Sequence, residues 1–259
     1  MKKETPTHKW ERLGVVAYEH PPDAPPPSFY SFKNLGSEWR VAVSAARLIA
    51  SRKSLLSEAP GSATVYLIPG WKAPELVMAP LRRYLAKLGY DARHWGFGTN
   101  KGDPERDTGL FSDKVLSQTP PGEKAALIGW SLGGVIARET ARLVPDVVSG
   151  VVTYGTPVIG GPAYTPAARV WGAAECRRLS AEIEKLDAEN PIQVPIAAIF
   201  SRKDGMVSWP ACIDRTSPKV RHFEVKAPHL AMGIDPAVWH IAADQLNRFF
   251  QGQRSDLGD

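Results

Sequence analysis

From residue 64 onward the chain alternates short apolar runs with stretches whose apolar residues recur at helical spacing, and this rhythm limits the folds open to it. The apolar runs are 64–68, 90–95, 124–130, 147–154, 195–200 and 220–225. The helical stretches are 74–88, stopped by Gly89, then 109–118, 133–143, a charged segment at 174–188, and 236–250. A strand that is apolar along its whole length is buried on both faces, as happens where helices cover both sides of a parallel sheet. The expected fold class is therefore α/β, a mostly parallel sheet with helices on both faces. Residues 155–190 interrupt the rhythm with a Gly- and Pro-rich stretch, and no internal repeat is visible.

One core can use the whole chain. Its 259 residues are 43% apolar, 9% aromatic and 23% charged, which suits a soluble protein with a large interior and excludes disordered, collagen-like and coiled-coil chains. The formal charge of +5 raises a nucleic acid or an anionic surface as a partner. Its distribution argues against nucleic acid: residues 1–60 carry +3, 61–130 carry +2, 131–200 carry −1 and 201–259 carry +1. Basic residues never run longer than pairs such as Arg82-Arg83, whereas a DNA-binding face needs a denser stripe. Cys176 and Cys212 form neither a CxxC pair nor a disulfide framework, and read as buried free thiols in a reducing compartment. The opening MKKETPTHKWERLG has the charge of a secretory leader without its apolar stretch. The apolar stretch 41–50 is interrupted by Ser44 and Arg47 and falls short of the roughly 20 residues that span a bilayer. The expectation is a cytoplasmic protein without an integral membrane segment, its surface charge leaving weak peripheral association open.

Residues 1–60 read as a lead to the main unit. Pro21-Pro22 and Pro25-Pro26-Pro27 cannot sustain backbone ladders, so 1–35 are expected to wrap the surface with weak order. Over 37–56, Trp39, Val43, Ala46, Ile49 and Leu56 recur at helical spacing with Arg40, Arg47, Arg52 and Lys53 on other faces, as in an amphipathic helix. The main unit is expected over 61–250, followed by a disordered tail at 251–259.

The chemistry concentrates in Gly129-Trp130-Ser131-Leu132-Gly133, with KAALI before it as a strand and GVIARETARLV after it as a helix. A bare Gly-x-Ser-x-Gly is weak. Between strand and helix it describes a sharp turn that holds Ser131 at positive φ and exposes its hydroxyl beside a helix amino terminus. Gly129 and Gly133 remove side chains that would collide across the corner. On these residues the chain resembles the α/β-hydrolase superfamily, over roughly residues 65–250.

The resemblance implies roles for further residues. The family's second oxyanion donor comes from the loop after an earlier strand, here Ile68-Pro69-Gly70-Trp71, so the backbone N–H groups of Leu132 and Trp71 would face a developing oxyanion. The family order of serine, acid, histidine leaves His222, His229 and His240 as bases. His222 falls within a strand and His240 within the last helix, whereas His229 lies in the loop between them, where this fold places its base. For the acid, Asp204 directly follows the strand at 195–200 and meets the same rim of the sheet. Asp146, Asp187 and Asp214 are placed less well, and Asp235 looks like the N-cap of the last helix.

The segments IPGW, IGWSLGGVIAR, TYGTPVIGG, SRKDGMVSWPAC and APHLAMGIDPAVWHIAADQL are similar to a bacterial subgroup of lipase-like and esterase-like α/β-hydrolases. Few strands precede the Pro69-Gly70 loop, which implies a reduced sheet of about six. Residues 155–190 are the natural place for a small cap. Tyr164 and Trp171 within it, together with Trp71 and Trp130, either line an apolar acyl pocket or pack as core. The resulting expectation is a serine esterase or lipase-like enzyme acting on a small-molecule ester or lipid-like substrate through Ser131, Asp204 and His229. It needs no metal or organic cofactor. Acyl transfer by the same residues, or a non-catalytic binding role, are the alternatives.

Overall fold

The computed structural model describes residues 6–27 and 41–256. Each of the six apolar runs forms a strand, and a seventh comes from the lead. In chain order the elements are α1 (Pro6–Leu13), β1 (Val16–Tyr18), α2 (Val41–Ala50), α3 (Arg52–Leu55), β2 (Thr64–Ile68), α4 (Ala79–Lys87), β3 (Asp91–His94), α5 (Pro104–Gln118), β4 (Ala125–Trp130), α6 (Leu132–Leu143), β5 (Val148–Tyr154), α7 (Ala168–Trp171), α8 (Ala173–Glu189), β6 (Ile196–Phe200), β7 (Val220–Glu224) and α9 (Pro236–Asp256). The sheet runs β1-β7-β6-β5-β4-β2-β3, with β1 antiparallel to β7 and the other pairs parallel.

Strands β4, β5 and β6 are buried almost throughout, and alternate residues serve opposite cores. Val65, Leu67, Ile128 and Ile199 join one cluster with Leu85 of α4 and Ile241 and Leu246 of α9. Tyr66, Ile68, Leu127 and Ala198 join the other with Phe111 of α5 and Ile136 and Ala137 of α6. The period of two along each strand thus becomes a three-layer sandwich. The strand order reverses between β2 and β4, because β2 leads to β3 on one side while β4 lies on the other. A crevice opens at the carboxyl ends of strands at such a reversal.

Three expectations need correction. The sheet has seven strands among the described residues, not about six. The lead supplies β1, whose Val16, Ala17 and Tyr18 pair with Glu224, Phe223 and His222, and Trp10 is buried with its ring 5.6 Å from that of Phe223. A three-residue antiparallel edge strand beside a proline tract carries too little pattern to show in sequence. Helix α5 begins five residues before the expected 109, because the Asp103 side chain accepts the Arg106 N–H at 3.2 Å and Pro104 suits a first helical position. The last helix continues to Asp256, into the expected tail. The helix expected over 37–56 is α2 and α3; residues 28–40, with Trp39 and Arg40, lie outside the described residues. No helix among the described residues is long and apolar enough to cross a membrane.

A buried polar network ties the α6 layer to the chain after β6. Arg138 of α6 and Asp214 form an ion pair at 2.7 Å with both side chains almost wholly buried. Asp214 Oδ1 also accepts the N–H groups of Thr216 and Ser217, and the Asp214 N–H donates to His222 Nε2 at 3.0 Å. Burial pushes the Asp214 carboxyl up, but Arg138 and the Ser217 N–H outweigh it and hold the group well below the carboxylate range. His222, accepting at Nε2 in a fully buried site, is neutral, and burial lowers its pKa from 6.5 to about 4. A depressed histidine pKa means that the unfolded chain binds a proton the native fold refuses. Stability is therefore unaffected above pH 6.5 and falls as pH drops from 6.5 towards about 4, by about 3 kcal/mol in all. Urea unfolding across that range is expected to show this loss in the wild type and a flatter profile in His222→Gln; parallel profiles would exclude it.

Candidate active site

Ser131 sits between β4 and α6 with φ 54° and ψ −122°, a conformation rare for a residue with a side chain. Two backbone bonds hold it there: the Ser131 N–H donates to Tyr154 O at 3.0 Å, and the Gly134 N–H to Ser131 O at 2.9 Å. A Cβ at Gly133 would stand 2.3 Å from Ile68 O, so the turn exists only because that residue has none. Since the serine's own N–H is engaged, the free donors nearby belong to the first turn of α6. Leu132, the first residue of α6, presents an N–H with no intrahelical acceptor.

The loop after β2 faces this turn. Asn100, fully buried, holds it: the Asn100 Nδ2 donates to Pro69 O at 2.9 Å, while its backbone accepts from Lys72 N–H and donates to Ala73 O. Asn100 Oδ1 in turn accepts the Gly102 N–H at 3.0 Å. Lys72 lies at φ 58°, so the loop is sharply bent next to Trp71. Sequence reasoning missed Asn100, whose only signal was an isolated asparagine in a Gly-rich loop.

Asp204 and His229 meet although 25 residues separate them. His229 Nδ1 and Asp204 Oδ2 are 2.7 Å apart, with both side chains almost wholly buried. The other carboxylate oxygen, Oδ1, accepts the N–H groups of Met206 and Val207, each at 2.7 Å. Both Asp204 oxygens are thus occupied and the carboxylate is fixed in plane. Gly155 (φ +58°), after β5, makes room for the pair, since a Cβ there would lie 2.8 Å from His229 Nδ1 and 3.3 Å from Asp204 Oδ2. The competing residues are engaged elsewhere. His222 serves the Asp214 network, and His240 Nδ1 pairs with Glu58 at 2.6 Å. Asp187 pairs with Arg142. Asp235 caps α9 through the Ala237 N–H and binds Arg47 of α2.

Ser131 and His229 share a cavity of about 220 Å³ with Trp71, Trp130 and Leu132. The Trp130 ring lies 5.5 Å from that of His229. From the 155–190 segment the cavity takes Pro157, Gly161, Pro162, Thr165, Pro166, Ala167, Leu179 and Ile183. Tyr164 is not among the lining residues; its ring packs over Gly160 instead, turned away by the short helical turn Gly161–Tyr164. Trp171 ends α7, and its side chain lies outside the described residues. Sequence reasoning missed Leu179 and Ile183, which read as part of a charged helix. Among the described residues, no group of three or more His, Cys, Asp or Glu side chains is placed to hold a metal ion.

The sequence pattern of the alpha/beta hydrolase family matches residues 65–256, and the chain belongs to that family. Among curated proteins it is similar to the pimeloyl-[acyl-carrier protein] methyl ester esterase of Aliivibrio salmonicida, 32% identical over 142 residues covering 53% of this chain and 51% of that protein. It is also similar to the protein of the same name from Edwardsiella ictaluri, 37% identical over 70 residues, 27% of this chain and 25% of that one. The chain therefore spans about half or less of the length of these relatives. The fold resembles a structure of the metagenome-derived lipolytic enzymes LipS and LipT, with a TM-score of 0.57 at 15% identity over 75% of this chain and 96% of that one. It also resembles a Paleococcus ferrophilus monoacylglycerol lipase, with a TM-score of 0.55 at 18% identity over 76% and 96%.

Replacing Asn100 by Ala leaves Pro69 O without its buried donor and Gly102 N–H without its acceptor. Such a loss costs about 1–3 kcal/mol. Asn100→Ala is expected to lower urea-unfolding stability by that amount, and an unchanged midpoint would show that water replaces the side chain.

Proposed function

We propose that this protein is a serine hydrolase of carboxylic esters, with Ser131 as nucleophile, His229 as base and Asp204 as its orienting acid. The observation that carries this reading is the 2.7 Å contact between Asp204 and His229 beside a serine held at positive φ in the same cavity. The curated relatives, named as methyl ester esterases, support the ester as the bond cleaved.

The chemistry follows from the donors and acceptors. Asp204 Oδ2 accepts a hydrogen bond from His229 Nδ1–H, which leaves Nε2 as the basic nitrogen. As Ser131 Oγ adds to the ester carbonyl carbon, its proton passes to Nε2. The carbonyl oxygen becomes an oxyanion faced by the N–H groups of Leu132 and Trp71. Collapse of this intermediate breaks the bond to the alkoxy oxygen, which takes the proton from Nε2 and leaves as the alcohol, with the acyl group now esterified to Ser131. Water repeats the sequence: its proton goes to Nε2, its oxygen adds to the acyl carbon, and collapse returns the proton to Ser131 Oγ and frees the acid. The residues of 161–183 that line the cavity act as a cap that keeps bulk water from the oxyanion.

Each catalytic part has a measurable share. Asp204→Asn removes the acceptor that selects the productive tautomer, and is expected to lower kcat about 10⁴-fold while leaving the fold intact. Ser131→Ala is expected to abolish both labelling by a small fluorophosphonate and hydrolysis of p-nitrophenyl esters. A wild type that neither labels nor cleaves any ester faster than Ser131→Ala would sink the proposal.

A further inference from the structure

The cavity beside Ser131 carries more information than its position. Its wall is formed by apolar side chains, including Trp71, Trp130, Val135, Leu179 and Ile183, and among the described residues no Asp, Glu, Lys or Arg lines it. A reacting carbonyl between Ser131 and the N–H groups of Leu132 and Trp71 must keep its leaving oxygen towards His229, which returns the proton. The acyl chain then runs along the remaining wall, away from the histidine. Val135, one helical turn beyond Ser131 on α6, is part of that wall.

Helix α8 supplies the rest. Leu179 and Ile183 are four residues apart, so they stand on one face of the helix, one turn above the other. The helix lies against the turn Gly161–Tyr164: Ser180 Oγ shares its proton between Cys176 O at 2.7 Å and Gly160 O at 2.8 Å, and the Ile183 Cδ1 reaches within 3.0 Å of where a Cβ on Gly161 would stand. The two side chains are therefore fixed in the wall.

Volume gives the scale. A dry cavity of about 150 Å³ accepts one benzene, six carbons, so the cavity of about 220 Å³, which the acyl chain shares with the leaving group, holds about nine carbons at most and bounds the chain at medium length. We infer that the preferred substrates are esters of uncharged, medium-length acyl chains, and that Leu179 and Ile183 determine that length. This rests on the ester-hydrolase reading above. The absence of charged groups from the wall sets a second limit: a carboxylate at the far end of the acyl chain would lose its water and find no partner.

The test is a series of p-nitrophenyl esters from acetate to palmitate, with a fluorophosphonate labelling assay run in parallel. For the wild type, kcat/KM is expected to climb by up to about fourfold per added methylene while the chain is being buried, to peak between hexanoate and decanoate, and to fall at least tenfold by palmitate. The p-nitrophenyl ester of octanedioic acid is expected to react at least tenfold more slowly as the free acid than as its monomethyl ester. Ile183→Trp is expected to move the peak to shorter chains and Leu179→Ala to longer ones, with circular dichroism confirming that each variant is folded. Labelling of Ser131 with a flat profile or a peak at acetate would overturn the chain-length assignment alone, and equal rates for the free acid and its methyl ester would overturn the preference for an uncharged chain alone. Peaks that stay in place in both folded variants would remove Leu179 and Ile183 from it. No labelling and no cleavage of any ester would overturn the hydrolase reading and this inference with it.

Discussion

The turn at Ser131 depends on the absence of any side chain between α6 and the end of β2. With a Cβ at Gly133 the two would collide at 2.3 Å from Ile68 O, and α6 could not start where it does. The positive φ of the serine costs of the order of 1–3 kcal/mol, and persists because the surrounding packing overdetermines it. Strand β4 is enclosed between two strands and two helical layers, and the Ser131 N–H is bound to Tyr154 O at the end of β5. The same close approach brings the loop after β2 against the serine, because β2 and β4 are neighbours at the strand reversal. The strained turn at Ser131 and the placing of the loop after β2 against it are thus two results of one packing constraint.

The other half of the site hangs from α6 by buried charge. Arg138 lies two turns along the helix from the serine and holds Asp214, whose carboxylate fixes the backbone at Thr216 and Ser217. That segment follows the acid loop and leads into β7, after which comes His229. Such a pair need not stabilise the fold relative to apolar residues, but removing one partner would strand the other, at about 3–5 kcal/mol. The ion pair therefore ties the helix that follows Ser131 to the segment that leads into β7.

The legible parts of the site were the local ones. Gly129 to Gly133 states its own geometry, since strand, glycines, serine and helix are consecutive. Asp204 and His229 are distant in sequence, yet the rule that parallel strands end on one rim, together with the family order, singled them out. Asn100 was not legible, because its function is to bond a backbone carbonyl 31 residues away, and no pattern of neighbours records that. Nor were Leu179 and Ile183. Their charged neighbours are right for an exposed helix, and only the packing of α8 on the Gly161–Tyr164 turn shows which face looks inward. Tyr164 failed for the complementary reason: an aromatic residue in the right segment was turned over Gly160 by a local turn.

The lead is where sequence and structure diverge most, and the divergence concerns packing rather than charge. Residues 1–60 hold much of the net positive charge, yet what their first strand brings to the chain after β6 is mainly apolar surface. Tyr18 and Ala24 pack against the buried cluster of Phe200, Val207, Cys212 and Ile213, as Met206 and Trp209 do, and the Tyr18 ring lies 6.2 Å from that of Phe200. The Tyr18 hydroxyl donates to Glu224, which also receives Arg202, whose guanidinium sits 4.1 Å over the Trp209 ring. Met206 and Val207 are the residues whose N–H groups hold Asp204 Oδ1. A segment that seemed an appendage therefore closes the edge of the sheet through β1 and packs on the cluster that includes Val207 beside Asp204, so the main unit from residue 61 onward is not a self-contained core.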